Sequence, residues 1–243
     1  MKMQFISLCG FLSLAPTLLA QTSFQDLNFE SVTIVPLQDH WGRVSLSAAL
    51  PGWLGYTGST PLDRVQYNAT FLDSTGISIV NANTFLGGPI QGYTVLLQAG
   101  VDLYGGNWNI RADVALAQTG TIPLETQSLR FAGRPAFNGS LADPFARFAV
   151  SFGGESLGLL ETGTQGDYQL YAADVSAFAG RTGELRFFLS AGSSGADGMR
   201  NVFLDSIEFS PTPVPEPAGL KWLMMGAATV WLLSAKSRPQ RPI

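Results

Sequence analysis

The chain reads as an all-β protein built as an antiparallel sandwich, and three observations predict it. Short runs rich in β-branched and aromatic residues recur between residues 21 and 210, punctuated by Gly, Pro, Asn and Asp. Two of them, Arg147-Phe148-Ala149-Val150-Ser151-Phe152 and Asp205-Ser206-Ile207-Glu208-Phe209, alternate with the period of two that a half-buried strand requires. No stretch of this region carries the periodicity of a long amphipathic helix, and no repeat of solenoid length stands out.

In chain order the runs predict strands at 24–30, 32–35, 44–48, 65–72, 77–80, 93–98, 112–117, 129–132, 146–152, 168–172, 185–189 and 202–209. Phe24, Leu27 and Phe29 carry the first; Val202, Phe203, Leu204, Ile207 and Phe209 carry the last. Residues 174–178 predict one short helical turn before Gly180. Nothing within 21–210 has the composition of a linker, so this region is read as one domain.

Composition narrows the function classes. Within 21–214 nine arginines and no lysine face seventeen acids, a net of −8, and the arginines are scattered singly. That balance argues against nucleic acid as a partner. Cys9 is the sole cysteine of the 243 residues, which excludes an intramolecular disulfide. With one histidine, His40, a multi-histidine zinc site is excluded too.

Both ends read as addresses. Lys2, the apolar stretch from Phe5 to Leu19 and the small Ala20 form the pattern of a signal peptide over residues 1–20. Beyond the domain, the proline-rich 211–217 predicts an extended linker. Residues 218–235 are then long enough to span a membrane as a helix, with Lys221 near one end able to snorkel. The basic tail 236–243, with Lys236, Arg238 and Arg241, would stay cytoplasmic and leave the domain outside.

Val214-Pro215-Glu216-Pro217, one apolar segment and a short basic end together resemble the PEP-CTERM sorting signal of Gram-negative bacteria. The resemblance covers about the last thirty residues. It implies export and inner-membrane anchorage before processing. It also implies an exosortase-type membrane protease as partner, delivery to the cell envelope or extracellular matrix, and an association with exopolysaccharide. Lys221 departs from the cleanest form of the pattern.

The domain itself resembles galactose-binding-like, carbohydrate-binding jelly rolls. Asn28-Phe29-Glu30 stands where their N-F-E opening would be, Trp53 follows it, and Asp205-Ser206-Ile207 matches the closing D-x-I strand. The run from Tyr171 to Gly180, then Gly183-Glu184-Leu185-Arg186-Phe187, matches their penultimate region. A concanavalin-like sandwich is the alternative architecture. In the jelly rolls the first and last strands often share a calcium ion. The resemblance implies Glu30 and Asp205 as its ligands, with Asn28 adding an amide oxygen if the strand bends. Otherwise the two acids sit exposed at strand ends or pair with Arg43 or Arg200.

Catalytic patterns are sparse. A Ser-His-Asp triad would need His40, and no G-x-S-x-G elbow accompanies it. Asp205 and Glu208, an odd number of residues apart, face opposite sides of a regular strand and make a poor acid pair. The glycine-rich pieces lack the context of a phosphate loop. Trp41, Trp53, Tyr56, Tyr104 and Trp108 lie in turn-rich stretches, where such rings either stack on a sugar or fill the core and cap its ends. The sequence thus predicts an exported, non-catalytic surface or matrix protein that contacts exopolysaccharide. A tethered, secreted carbohydrate-active hydrolase is the alternative.

Overall fold

The computed structural model describes residues 23–39, 41–69, 74–81, 90–102, 107–135, 148–191 and 200–215. The predicted leader, Glu216 and Pro217 of the sorting motif, the apolar segment 218–235 and the basic tail with Lys236, Arg238 and Arg241 lie outside the described residues. Among those described, no helix is long and apolar enough to cross a membrane.

Two sheets form a sandwich. The larger has nine strands and runs in the order β1 (Arg43–Ser45), β4 (Arg64–Tyr67), β5 (Gly76–Asn81), β6 (Tyr93–Asp102), β15 (Arg200–Ser210), β9 (Ser128–Pro135), β13 (Tyr168–Asp174) and β12 (Leu160–Gln165), with β7 (Asn107–Ala112) pairing off β6. The smaller has six, in the order β11 (Glu155–Ser156), β10 (Phe148–Phe152), β14 (Thr182–Leu189), β8 (Val114–Thr121), β2 (Leu54–Thr57) and β3 (Thr60–Leu62). The all-β expectation therefore holds. Pairing is antiparallel between these strands apart from β4 and β5, which run parallel. The short turn expected at 174–178 is the 3-10 turn Ser176–Phe178.

Inward-facing residues of the two sheets share one core. Leu116, Val150 and Phe187 project from the smaller sheet; Ile77, Leu97, Phe131 and Leu204 project from the larger, all at most 2% exposed. Aromatic rings connect the layers. Phe131 stacks on Tyr171 at 5.3 Å and meets Phe187 edge-on at 5.5 Å, while Phe187 continues to Trp53 at 6.2 Å. The central strands are buried on their other face as well. There Val80, Leu96, Ala132, Tyr168 and Phe203 form a second cluster, and the Arg134 guanidinium lies 4.1 Å from the Phe203 ring centroid. Period-two alternation is therefore weak in β5 and β6, because both faces leave water.

Three expectations are corrected. Residues 44–48 are not one strand: β1 ends at Ser45 and the single-turn helix α1 (Leu46–Ala49) follows, burying Leu46 and Ala49. Residues 32–35 form no strand either; the segment meets β1 through backbone bonds and an isolated bridge between Pro36 and Val44. The third concerns 24–30, which is no strand: Asp26 and Phe29 take φ of 47° and 58°.

The backbone of this opening segment is spent on partners other than a ladder. The Gln118 side chain, buried on β8, donates from Nε2 to the Gln25 carbonyl at 2.9 Å and accepts from the Gln25 N–H through Oε1. Trp53 Nε1 donates to the Asp26 carbonyl at 3.1 Å, and the Ile207 N–H donates to the Leu27 carbonyl at 3.0 Å. Phe29, fully buried, packs on Trp53 at 5.6 Å, and Phe24 packs on Phe209 at 5.0 Å. The opening and closing segments therefore lie together.

Gln118→Ala removes both side-chain partners of the Gln25 backbone and empties a buried position on β8. It should lower unfolding stability by roughly 1–2 kcal/mol in urea titrations. Thr119→Ala, one residue along and exposed, should change it little.

Candidate functional site

The bulge in β15 builds the most distinctive chemistry among the described residues. Asp205 pairs with Ala132, but Glu208 pairs with Arg130, so three residues of β15 span two of β9. Ser206, at φ 51°, is the extra residue. The consequence reverses a sequence expectation: Asp205 and Glu208 oppose residues two apart on β9 and so face the same side. They still make no acid pair of equals, since Glu208 is exposed while Asp205 is 1% exposed.

The partner that the fold brings to Asp205 is Glu30, whose negative charge is felt at Asp205. Each carboxylate is held by backbone at the entry to β6. The Ile90 N–H donates to Asp205 Oδ2 at 3.0 Å, and the Tyr93 N–H donates to Glu30 Oε1 at 3.2 Å. Ser206 Oγ donates to Asp205 Oδ1 at 3.1 Å. Gly92 makes this approach possible. It sits at φ 41°, and a Cβ there would fall 1.8 Å from Glu30 Oε2. Both acids also adjoin residues at positive φ, Phe29 and Ser206, where the chain accepts strain to aim them.

Asn28 is exposed, and no described hydrogen bond joins it to either carboxylate. Among the described residues neither acid forms an ion pair with an arginine; Arg43 instead bonds Asp39 at 2.7 Å. No group of three or more His, Cys, Asp or Glu side chains gathers among the described residues. The pair is thus two oxygen-donor groups of the kind a hard cation takes, one of them buried and not ion-paired among the described residues. Sequence reasoning found both acids but missed the backbone donors of Ile90 and Tyr93. Gly92 was the available signal for that close approach.

Of the five aromatic candidates, Trp41, Trp53 and Tyr56 have described side chains, and they separate. Trp53 is 2% exposed and belongs to the core, because its indole faces inward against Phe29 and Phe187; it offers no sugar platform. Tyr56 is half-buried on the outward face of the smaller sheet. The Arg186 guanidinium lies 4.8 Å from its ring centroid and is itself paired with Glu184 at 3.2 Å. Trp108 lies in β7, with its side chain outside the described residues, as are Tyr104 and His40 altogether.

Trp41 is 64% exposed. The turn bearing it is braced: Asp39 Oδ1 accepts the Trp41 N–H at 3.0 Å, and Asp39 Oδ2 accepts Arg43 Nε at 2.7 Å. Partial desolvation opposes the Asp39 charge, but these bonds outweigh it and hold the carboxyl below its usual range.

Compared with protein-family models and with curated proteins, the chain matches no family and no curated relative.

Burial drives the Asp205 carboxyl up to about 6; bonds from Ile90 and Ser206 pull against this, and the Glu30 charge adds to it. A carboxyl raised from 3.8 favours the folded state while it is protonated. Its contribution is complete below about pH 4 and is lost as pH rises through about 6, a span worth on the order of 2–3 kcal/mol. In chelating buffer the denaturation midpoint should therefore fall across that window. Asp205→Asn should flatten the profile, and an unchanged profile would show that Asp205 is not the group responsible.

Proposed function

We infer that this is an exported, non-catalytic surface or matrix protein whose domain contacts exopolysaccharide through Trp41. The observation that carries the reading is an exposed indole on a turn already ordered by Asp39 and Arg43. A turn ordered before binding loses little further backbone entropy when a sugar stacks on its indole. Trp53 is committed to the core, and Arg186 occupies one face of Tyr56.

The location rests on the sequence patterns at the two ends, the signal peptide and the PEP-CTERM-like tail with its exosortase-type protease as partner. The jelly-roll reading is supported by the opening segment lying against the closing strand. Support for a non-catalytic domain over a tethered hydrolase comes from Asp205. A carboxyl this buried, with Oδ2 already bonded to backbone, is poorly placed to meet a glycosidic oxygen.

The test uses material exported by the native host. Intact mass should show a chain that has lost residues 1–20 and been processed at or beyond the sorting motif. That material should co-sediment with the host's exopolysaccharide. Trp41→Ala should weaken co-sedimentation by about tenfold or more without moving the melting midpoint. Retention equal to wild type would remove Trp41 from the reading, and full-length chain in the cytoplasm would remove export.

Structural calcium belongs to the same reading, with Glu30 and Asp205 as the residues that would hold it. A divalent cation would supply a countercharge to buried Asp205 and would tie the opening segment to the last strand. Because a ligand of the folded state stabilises by mass action, calcium should raise the melting midpoint of wild type above its value in chelator. Asp205→Asn should abolish the difference, and an identical wild-type midpoint in both buffers would end the proposal.

A further inference from the structure

We propose that the end of the sandwich from which the chain leaves is a docking face for a lipid bilayer, with Leu124 as its apolar tip. The inference rests on the anchored reading above and concerns the chain before its tail is processed. Three segments build this end. Residues 122–127 connect β8 to β9, residues 175–181 connect β13 to β14, and residues 210–212 lead out of β15. Backbone bonds lock them together. The Ile122 N–H donates to the Arg181 carbonyl at 3.0 Å, and the Val175 N–H donates to the Gln127 carbonyl at 3.0 Å. The Gln127 N–H in turn donates to the Ser210 carbonyl at 2.9 Å.

Leu124 projects from this frame. At 79% it is the most exposed large hydrophobic side chain among the described residues. Its backbone is ordered: the ring of Pro123 fixes φ just before it, and the Thr126 N–H closes the turn on the Pro123 carbonyl at 3.1 Å. Its Cδ2 lies over Gly180, where a Cβ would come within 2.6 Å of it. A single exposed leucine is ordinary on a protein surface. The position of this one in the chain's route is what gives it a partner.

The exit is pinned beside that turn. Ser128 Oγ donates to the Thr212 carbonyl at 2.6 Å, and the Arg130 guanidinium reaches the Thr212 and Pro213 carbonyls at 3.5 Å. The apolar segment begins at residue 218, and Pro213, Pro215 and Pro217 fill the stretch before it. At about 3.1 Å per residue, that extended tether spans at most ~20 Å from Thr212. A bilayer anchored through 218–235 therefore lies nearest the end that carries Leu124. The opposite end, with Ser59 between β2 and β3, is a further ~25 Å away along the eight residues of β8. Tethering makes the contact intramolecular, so a weak apolar contact suffices to hold the domain against the surface. Charge does not select an anionic lipid: Glu125, Glu155 and Asp174 stand at this end with Arg130 and Arg181, and Arg181 pairs with Glu155 at 3.9 Å. A zwitterionic bilayer is the partner that fits.

The test uses the full chain in phosphatidylcholine vesicles, with Cys9→Ser removing the native cysteine. A fluorophore is carried on Glu125→Cys or, at the far end, on Ser59→Cys; both positions are exposed. A nitroxide-labelled lipid should quench the label at position 125 and spare the one at position 59. Leu124→Asp in the first background should cut the docked fraction, read as that quenching, by about tenfold, the factor that burying a leucine supplies. Equal quenching at the two positions, or quenching untouched by Leu124→Asp, would overturn the proposal. Vesicle flotation keeps the two readings apart. A chain that fails to float removes the anchor and this face with it, whereas a chain that floats with position 125 unquenched removes the face alone. Circular dichroism melts matching wild type show that each variant folds.

Discussion

The amide of Gln118 sets how the chain begins, and much else follows from that. A glutamine pointing into a sandwich core would ordinarily be an expensive error, because its amide leaves water with nothing to bond. Here it offers one donor and one acceptor to the backbone of Gln25, imitating a neighbouring strand. The opening segment is drawn to the mouth of the core and held there by Trp53 and by the carbonyl of Leu27. Gly120 leaves room for Phe24, since a Cβ there would meet its ring at 2.8 Å.

That placement creates the acid pair. Once Phe29 is buried beside Trp53, the following residue has little freedom, and Glu30 arrives under the turn that precedes β6. Asp205 arrives by an independent route, because the bulge at Ser206 shifts the pleat of β15. Two carboxylates from opposite ends of the domain then share one stretch of backbone donors, from Ile90 to Tyr93. The raised pKa of Asp205 is the electrostatic result: burial favours the neutral form, and the Glu30 charge adds to it.

The exposed features follow a different rule. Trp41 and β12 lie where the sandwich buries little, yet each is ordered by local bonds: the Asp39 turn for one and pairing with β13 for the other. Order without burial costs conformational entropy that the core does not repay. An ordered, exposed indole is therefore the surface at which contact with another molecule returns the most.

What the sequence determined by itself is the element content. Alternation and turn chemistry located β9, β10, β13, β14 and β15, and the absence of helical periodicity excluded a helical fold, because these are local properties of side-chain period and backbone preference. It also brought Glu30 and Asp205 forward together, through the likeness of the two end motifs to known sandwich modules. Three things were decided by the tertiary structure alone. Residues 24–30 carry a strand's composition but spend their hydrogen bonds on Gln118, Trp53 and Ile207, groups distant in sequence. Asp205 and Glu208 share a face because one bulged residue resets the period, and nothing local marks Ser206 for that role. Of the aromatic candidates, Trp53 turned inward and Trp41 outward. Which way a ring faces depends on what the rest of the chain packs against it, and single-sequence pattern carries no record of that.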